Sequence, residues 1–259
     1  MMNDIVRVDA CDSTQTLARA LVDEGAAHGT IVVARTQTAG RGRRGRTWLA
    51  PAGALTLSIV WRPGCALRDA HRITLGAAKG LLDALDVLPG LSGGLTARAA
   101  VKWPNDLVIP WPDAGPLGPF RKVAGVLVEV ARADAEVLHA CVIGIGVNVR
   151  APAGGWPDEI ARTAGALADA GYAGDADGAL DVVRAHVPPA LTRAVTAFDH
   201  TLHVLRKRSA TLGRRVEVDG IDGDAVQIDD EGALVIADDE GIRHTVRAGD
   251  VWVRALSSP

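Results

Sequence analysis

An arginine- and glycine-rich stretch, TQTAGRGRRGRTW at residues 36–48, is the first candidate for chemistry in this chain. It places four arginines within six positions: Arg41, Arg43, Arg44 and Arg46. Glycine lets backbone N–H groups approach an anion, and the arginine fork matches a phosphate or a carboxylate, so the stretch predicts an anion-binding loop. So much charge suits a polyphosphate, or a reaction in which a carboxylate meets a phosphate. An RGG-like RNA-binding or merely solvated segment is the alternative, although the stretch lies between two predicted strands.

A second candidate is VKWPND at residues 101–106. A lysine at the end of an apolar strand is costly to bury unless it meets an anion, and Lys102 stands beside Trp103, which could wall a pocket. Asn105 and Asp106 bring an amide and a carboxylate to the same turn. The alternative is a surface lysine next to a turn-forming Pro-Asn-Asp sequence.

Two apolar strands carry glycine where a packed side chain would be expected. Gly125 lies inside KVAGVLVE, and VIGIGVNV contains Gly144, Gly146 and Asn148. Glycine within a strand marks close approach of backbone or ligand, and a buried Asn148 amide could meet an adenine edge. A tight strand crossing would explain the same glycines. The chain has no GxxxxGK[ST] phosphate loop, and its conspicuous motifs carry Arg and Lys rather than an obvious nucleophile, which indicates electrostatic catalysis of group transfer.

Composition favours an ordinary soluble globular protein. The net charge of −3 over 259 residues argues against a generally basic nucleic-acid binder. Three widely spaced cysteines make a disulfide framework or a zinc site improbable, and we predict no metal-ligating residues. The N-terminus lacks a signal-peptide pattern, and no apolar run reaches the roughly 18–20 residues of a membrane span, so a cytoplasmic protein without membrane contact is predicted.

The order of predicted elements indicates an α+β fold. A capped helix follows Asp12, strands are predicted over 30–38 and 54–63, a helix over 73–85, and further strands over 97–109, 122–131 and 137–149. Residues 110–121, with four prolines, predict a surface loop with half-exposed Trp111 and Phe120, and a helical region over 179–208 is expected to break near Pro188 and Pro189. Short strands with Asp-Gly and Glu-Gly turns follow. We therefore predict a catalytic domain over 1–210 and a small barrel-like domain over 211–259.

Taken together, DSTQ, QTAGRGRRGRTW, KWPNDL, KVAGVLVE and IGIGVNV, in this order, resemble the biotin–protein ligases over nearly the whole chain. The resemblance implies a mixed β-sheet with helices packed mainly on one face, as in class II synthetases, and a C-terminal SH3-like barrel. It implies activation of biotin with ATP and Mg²⁺ to biotinyl-5′-AMP and pyrophosphate. Biotin then passes to one lysine of a biotin carboxyl carrier domain of a biotin-dependent carboxylase.

The resemblance also assigns residues by position. Lys102, Arg41 and Arg43 are implied to be catalytic. The implied biotin site comprises Ser13, Thr14, Gln15, Gln37, Arg41, Gly42, Arg43, Lys102 and Gly125, although members of this family often have Asn at the position of Gln15. The implied ATP and adenylate site comprises Arg43, Arg44, Arg46, Trp48, Asn105, Asn148 and Arg254. The arginine loop is implied to close over biotin and the adenylate.

About eleven residues precede the DST motif that contains Ser13. Bifunctional members of the family have a winged-helix DNA-binding domain there, for which eleven residues are too few. We therefore expect a ligase without repressor function and without a nucleic-acid partner. A homodimer through exposed sheet edges is conceivable. Three other functions compete with biotin ligation. They are lipoate–protein ligation on the same fold, nucleic-acid binding through the Arg/Gly loop, and ligand sensing by an inactive site.

Overall fold

The computed structural model describes residues 4–91, 99–115 and 117–253. Its centre is an eight-stranded mixed sheet in the order β1-β2-β3-β8-β7-β6-β5, with the short β4 paired to β8. The strands are β1 (Ile5–Cys11), β2 (Ile31–Gln37), β3 (Leu55–Trp61), β4 (Cys65–Ala66), β5 (Ala100–Lys102), β6 (Asp106–Gly115), β7 (Gly118–Ala133) and β8 (Val137–Val147). Only the β1–β2 pairing is parallel among these described strands.

Four α-helices cover the sheet unequally: α1 (Thr14–Asp23), α2 (His71–Val87), α3 (Ala176–Thr196) and α4 (Phe198–Lys207). Alternation along β2 explains the division, because Ile31 and Val33 join the main core with α2 to α4. Val32 points the other way, into a smaller cluster with Ala18 and Val22 of α1. The predicted arrangement, with helices mainly on one face, is therefore present. Helix α1 begins as expected, with Ser13 as its N-cap.

The predicted break near Pro188 and Pro189 is wrong. Both prolines lie inside α3, which continues to Thr196. Helix α3 packs closely on α2, where an added Cβ at Gly80 would meet Ala190 Cβ at 2.8 Å. This packing stabilises the helix although each proline removes a backbone donor. The chain breaks later, at Ala197, whose φ of −149° and ψ of 60° are not helical.

The predicted surface loop over 110–121 is also wrong for most of its length. Residues there extend β6 and β7 as a hairpin, with Pro110 opposite Phe120 and Gly115 opposite Gly118. Strand β5 pairs with β6 only at residues 106–108, so Pro110 lies where β6 is an edge strand, a position in which proline is tolerated. Trp111 and Phe120 are half-buried, as predicted.

After α4 the chain forms the predicted meander, a five-stranded antiparallel sheet in the order β12-β11-β10-β9-β13. Its strands are β9 (Arg215–Val218), β10 (Ile221–Ile228), β11 (Leu234–Ala237), β12 (Arg243–Val246) and β13 (Trp252–Val253). Residues such as Val216, Leu234 and Val253 belong to the same apolar cluster as the large sheet. The small sheet is thus packed firmly on the rest of the protein, and a domain boundary at residue 211 stays a prediction.

No helix in the part of the chain that the structure describes is long and apolar enough to cross a membrane.

Candidate active site

A cavity of about 430 Å³ lies between the large sheet, the Arg/Gly loop, residues 156–164 and the start of β13. Among the described residues, every one assigned to the biotin and nucleotide sites from sequence lines this cavity except Arg44. Arg44 turns towards the small sheet, and Arg254 lies outside the described residues. Motifs that are far apart in sequence therefore converge on one cleft.

One end of the cavity is polar and uncharged. Gln37 Oε1 accepts a hydrogen bond from the Thr14 backbone N–H at 2.7 Å, and Ser58 Oγ lies 2.9 Å from Thr14 Oγ1 and 3.0 Å from Gln15 Oε1. All of these side chains except Gln37 are buried. The helix N-terminus at Ser13 supplies further backbone donors. This end can therefore donate and accept hydrogen bonds around a small neutral polar group.

Gln15 fits this end only because Gly144 faces it across the sheet. An added Cβ at residue 144 would lie 2.9 Å from Gln15 Cδ. The Gln15 amide donates to Glu129 Oε2 at 2.9 Å, and the same carboxylate oxygen forms an ion pair with Arg41. Glu129 thus links the neutral end of the cavity to the arginine loop.

Towards its far side the cavity has a floor of glycine beneath Trp48. Gly125 of β7 is paired with Gly146 of β8, and a Cβ at Gly146 would overlap the indole ring. The close neighbour at Gly146 is therefore a side chain of the same chain, whereas the sequence had predicted close approach of backbone or ligand. The buried indole N–H of Trp48 has no hydrogen-bond partner among the described residues, so it is free to donate to a ligand.

Two lysines and one aspartate form the charged part of the cavity. Asp106 Oδ1 lies 2.7 Å from Lys122 Nζ, and its other oxygen lies 3.7 Å from Lys102 Nζ. Burial lowers the pKa of Lys102, and Asp106 opposes this effect. Burial would raise the pKa of Asp106, but Lys122 and Lys102 outweigh it and bring that pKa below its usual value of 3.8.

Arg43 extends the positive charge from the loop into the cavity. Its guanidinium donates to Asn105 Oδ1 at 2.7 Å, while the Asn105 amide donates to the Val126 carbonyl at 2.8 Å. The Asn105 side chain is therefore oriented by the sheet and offers its oxygen to Arg43. Burial lowers the pKa of Arg43, while the charges of Asp250 and Asp106 act in the opposite direction. Arginine nevertheless stays charged in proteins.

Asn148 closes the far side. Its amide donates to the Gly165 carbonyl at 3.0 Å, and its buried Oδ1 has no partner in the described chain. The side chain is thus fixed with an unused acceptor, as would suit a ligand amino group. Residues Trp156, Ile160, Thr163 and Ala164 complete this wall.

Sequence reasoning left several lining or supporting residues unassigned. They are Lys122, Asp106, Glu129, Ser58, Asp250 and Trp252. Lys122 had a usable signal, because it is a cation that opens the apolar strand motif KVAGVLVE. Asp250 and Glu129 had none, since their arginine partners are far away in sequence.

Comparisons with known proteins identify the family of this chain. Residues 8–148, more than half of the chain, match the Biotin/lipoate A/B protein ligase family. The biotin–[acetyl-CoA-carboxylase] ligase of Paracoccus denitrificans is 35% identical over 256 residues, covering 93% of this chain and 97% of that protein. The corresponding ligase of Mycobacterium tuberculosis is 31% identical over 260 residues, covering 96% of this chain and 87% of that protein.

The solved structure of the biotin protein ligase from Aquifex aeolicus in complex with biotin and ATP has the same fold. Its TM-score to this chain is 0.73 at 24% identity, covering 97% of this chain and 99% of that chain. The α+β fold with a small C-terminal sheet is therefore confirmed. The family match and the relatives indicate the same family, so the chain belongs to the biotin/lipoate A/B protein ligase family.

Proposed function

We propose that this protein is an ATP-dependent biotin–protein ligase. It activates the biotin carboxylate with ATP and then transfers biotin to a carrier lysine. The observation that carries this proposal is one cavity with a neutral hydrogen-bonding end, a cationic middle and an aromatic far side. Such a cavity could hold, one after another along its length, a neutral cofactor head group, the carboxylate of that cofactor and a nucleotide. Family membership and the named biotin ligases among the relatives support the same reaction.

The neutral end would hold the ureido group of biotin. A ureido group has two N–H donors and one carbonyl acceptor, which need partners of both kinds when they are buried. Thr14 and Gln37 line this end and offer hydroxyl and amide groups of both kinds, and the buried Ser58 supports Thr14 from behind. Ser13 and Gln15 complete this end, and Gly42 and Gly125 leave room along the side.

The charged middle would carry the chemistry. In the first step a biotin carboxylate oxygen attacks the α-phosphorus of ATP, a new P–O bond forms, and the bond to pyrophosphate breaks. Both reactants are anionic, so Lys102, Lys122 and Arg43 would offset their repulsion and stabilise the charge that grows in the transition state. In the second step a carrier lysine amine attacks the biotinyl carbonyl and AMP leaves. Arg41 would contribute from the loop after its pairing with Glu129 yields to the ligand.

The far side would hold the adenosine. Trp48 presents an aromatic ring, and the unused Oδ1 of Asn148 could accept from the exocyclic amine of adenine. Arg46 also lines the cavity, close to the expected path of the phosphates. No group of three His, Cys, Asp or Glu residues in the described chain could hold a metal ion. Mg²⁺ would be held by triphosphate oxygens, water and at most one or two carboxylates, as is usual for this ion.

The acceptor is proposed to be a biotin carboxyl carrier domain of a biotin-dependent carboxylase. The relatives in Paracoccus and Mycobacterium are named as acetyl-CoA-carboxylase ligases, which supports this choice.

The decisive experiment measures pyrophosphate release with ATP, Mg²⁺ and either biotin or lipoate, with mass spectrometry of the acyl-adenylate. Release with biotin alone is the expected result. Release with lipoate alone would assign the protein to lipoate ligation. Release with neither, from folded protein, would leave a binding protein, and nucleic-acid titration at several salt concentrations would then test the remaining alternative.

A further inference from the structure

The Arg/Gly loop is divided between two sets of contacts. Arg41 and Arg43 contact Glu129 and Asn105 of the large sheet. Arg44 and Arg46 turn instead to the small C-terminal sheet. Neighbouring arginines of one loop are thus bound to two different sheets, and the loop bridges them across the mouth of the cavity.

Arg44 forms a two-pronged ion pair with Asp219. Its Nη1 lies 2.5 Å from Asp219 Oδ1 and its Nη2 lies 2.8 Å from Oδ2. Asp219 is the first residue of the Asp-Gly turn between β9 and β10. A paired fork of this kind fixes the relative orientation of both groups and is more demanding than a single contact.

The backbone at this ion pair is unusual on both sides. Arg44 has a φ of 53° and Asp219 a φ of 50°, and they are the only non-glycine residues with positive φ in the described part of the chain. The left-handed region is unfavourable for residues with a side chain and persists where surrounding contacts require it. For Asp219 this is the ordinary conformation of a two-residue Asp-Gly hairpin turn, whereas Arg44 has no such local reason, so its conformation fits a loop held in place by its contacts.

A second contact lies closer to the cavity. Arg46 Nη2 lies 2.8 Å from Asp250 Oδ2, and only 16% of the Asp250 side chain is exposed. The Arg46 guanidinium also lies over the Trp252 ring, 5.1 Å from its centroid. Asp250 and Trp252 both line the cavity, so the small sheet supplies part of the wall as well as the contact.

We propose that Asp219 and Asp250 are positioning residues that hold the arginine loop down over the cavity and thereby retain the reaction intermediate. They act through Arg44 and Arg46, and their contacts leave Arg41 and Arg43 directed into the cavity. In this proposal the small sheet anchors the loop through these two ion pairs, and we call this attachment the fastening. The consequence for the intermediate rests on the proposed function, whereas the fastening itself does not.

The fastening is tested without any substrate by limited trypsin digestion, followed by mass spectrometry of the Arg41–Gly42 bond. The variants are Asp219→Asn, Asp250→Asn and the double variant. Asparagine tolerates the left-handed conformation, so Asp219→Asn removes charge while keeping the turn. We expect cleavage to be about two- to fivefold faster in each single variant and about tenfold faster in the double variant, as for partly exposed ion pairs. Asp239→Asn is the matched control, because Asp239 pairs with Arg215 in the same sheet away from the loop.

A charge exchange separates the ion pair from general loosening. Asp219→Arg alone should speed cleavage, and adding Arg44→Asp should restore protection. Thermal unfolding of each variant shows whether the fold is intact. Equal acceleration in Asp239→Asn, or no rescue by the exchange, would overturn the fastening.

The consequence is tested by forming biotinyl-5′-AMP in the enzyme and measuring its escape and the biotinylation of bystander lysines. Escape should accelerate in parallel with cleavage. If wild-type protein forms the adenylate while all variants retain it equally well, the positioning role is wrong and the proposed function stands. If wild-type protein forms no adenylate, the proposed function is wrong, and the digestion still decides whether the loop is fastened.

Discussion

Gly125 of β7 lies directly opposite Gly146 of β8, and the indole ring of Trp48 rests over this pair. A Cβ at Gly125 would lie 3.4 Å from Trp48 Cζ3, an ordinary contact, whereas one at Gly146 would overlap the ring. The two positions therefore make unequal demands. Gly146 determines whether Trp48 can lie on the sheet, and Gly125 mainly leaves space for the Lys122 stem.

Replacing Gly146 by alanine is expected to displace Trp48 and to weaken ATP binding by at least about tenfold, the equivalent of roughly 1.4 kcal/mol. Biotin binding at the neutral end should change much less. Isothermal titration with a non-hydrolysable ATP analogue and with biotin measures both. Gly154→Ala is the control, since a Cβ there meets nothing within 4 Å. An unaltered nucleotide affinity in Gly146→Ala would remove Trp48 from the nucleotide site.

The contributions of Lys102 and Lys122, the two lysines beside Asp106, to the reaction can be measured separately. The Lys122 side chain is 30% exposed and lies 5.4 Å from the Trp48 ring centroid, while the Lys102 side chain is 13% exposed. The more accessible ammonium is better placed to meet both anions, so we expect Lys122→Met to reduce the rate of adenylate formation by about 10²–10³-fold.

Lys102→Met should also reduce the rate, and comparison of the two variants shows which ammonium contributes more. Lys207→Met, at the end of α4, is the control for loss of a lysine outside the cavity. Rapid-quench measurement of pyrophosphate isolates the first step. A near-normal rate in Lys122→Met would exclude Lys122 from the mechanism and return the role to Lys102 alone.

The motifs predicted the composition of the cavity because each is local and chemically distinctive. The Arg/Gly loop, the KWPND turn and the strand glycines all carry residue types that are costly unless they meet a ligand or a close neighbour. The contacts that orient them could not be predicted. Glu129 approaches Arg41 from 88 positions away, and Asp219 approaches Arg44 from 175 positions away. Only the folded chain brings such partners together.

The two wrong predictions, the loop over 110–121 and the helix break near Pro188, have the same origin. Proline is a local signal for a loop or a helix break, but its cost depends on whether the missing N–H had a partner. Pro110 lies on an edge beyond the reach of β5, and Pro188 lies in a helix stabilised by packing on α2. Tertiary context therefore overrode the local preference in both places.

Gln15 and Gly144 should behave as a coupled pair. Gly144→Ala places a methyl group 2.9 Å from Gln15 Cδ, so it should push the amide away from Glu129 and weaken biotin binding by about tenfold. Gln15→Asn shortens the side chain and removes the clash, so the double variant should bind biotin better than Gly144→Ala alone.

Equilibrium binding of biotin to the four proteins of this double-mutant cycle measures the coupling. An additive result would mean that the methyl group and the amide do not interact. Gly154→Ala combined with Gln15→Asn is the matched control, because a Cβ at residue 154 meets nothing within 4 Å and its effect should be additive.

Asp106 predicts a particular dependence of stability on pH. Its pKa is lowered in the folded protein, because Lys122 and Lys102 outweigh the effect of burial. A lowered carboxylate pKa stabilises the fold at pH values above the ordinary pKa of 3.8, and this contribution is lost as the pH falls through the folded pKa. Asp106→Asn removes the contribution and leaves two lysines without their shared partner. We expect the free energy of unfolding of the variant at pH 7 to be lower by about 3–5 kcal/mol, as when one member of a buried pair is removed.

Chemical denaturation of both proteins between pH 3 and pH 8 measures the difference. The gap between wild type and variant should be wide and constant above about pH 5. It should narrow below pH 4, where Asp106 of the unfolded chain takes up a proton while the folded carboxylate stays charged down to its lower pKa. Asp83→Asn offers a comparison, since Asp83 also pairs with a buried lysine, Lys79, but far from the cavity. A gap for Asp106→Asn that stays the same from pH 3 to pH 8 would show that the carboxylate gains nothing from the two lysines.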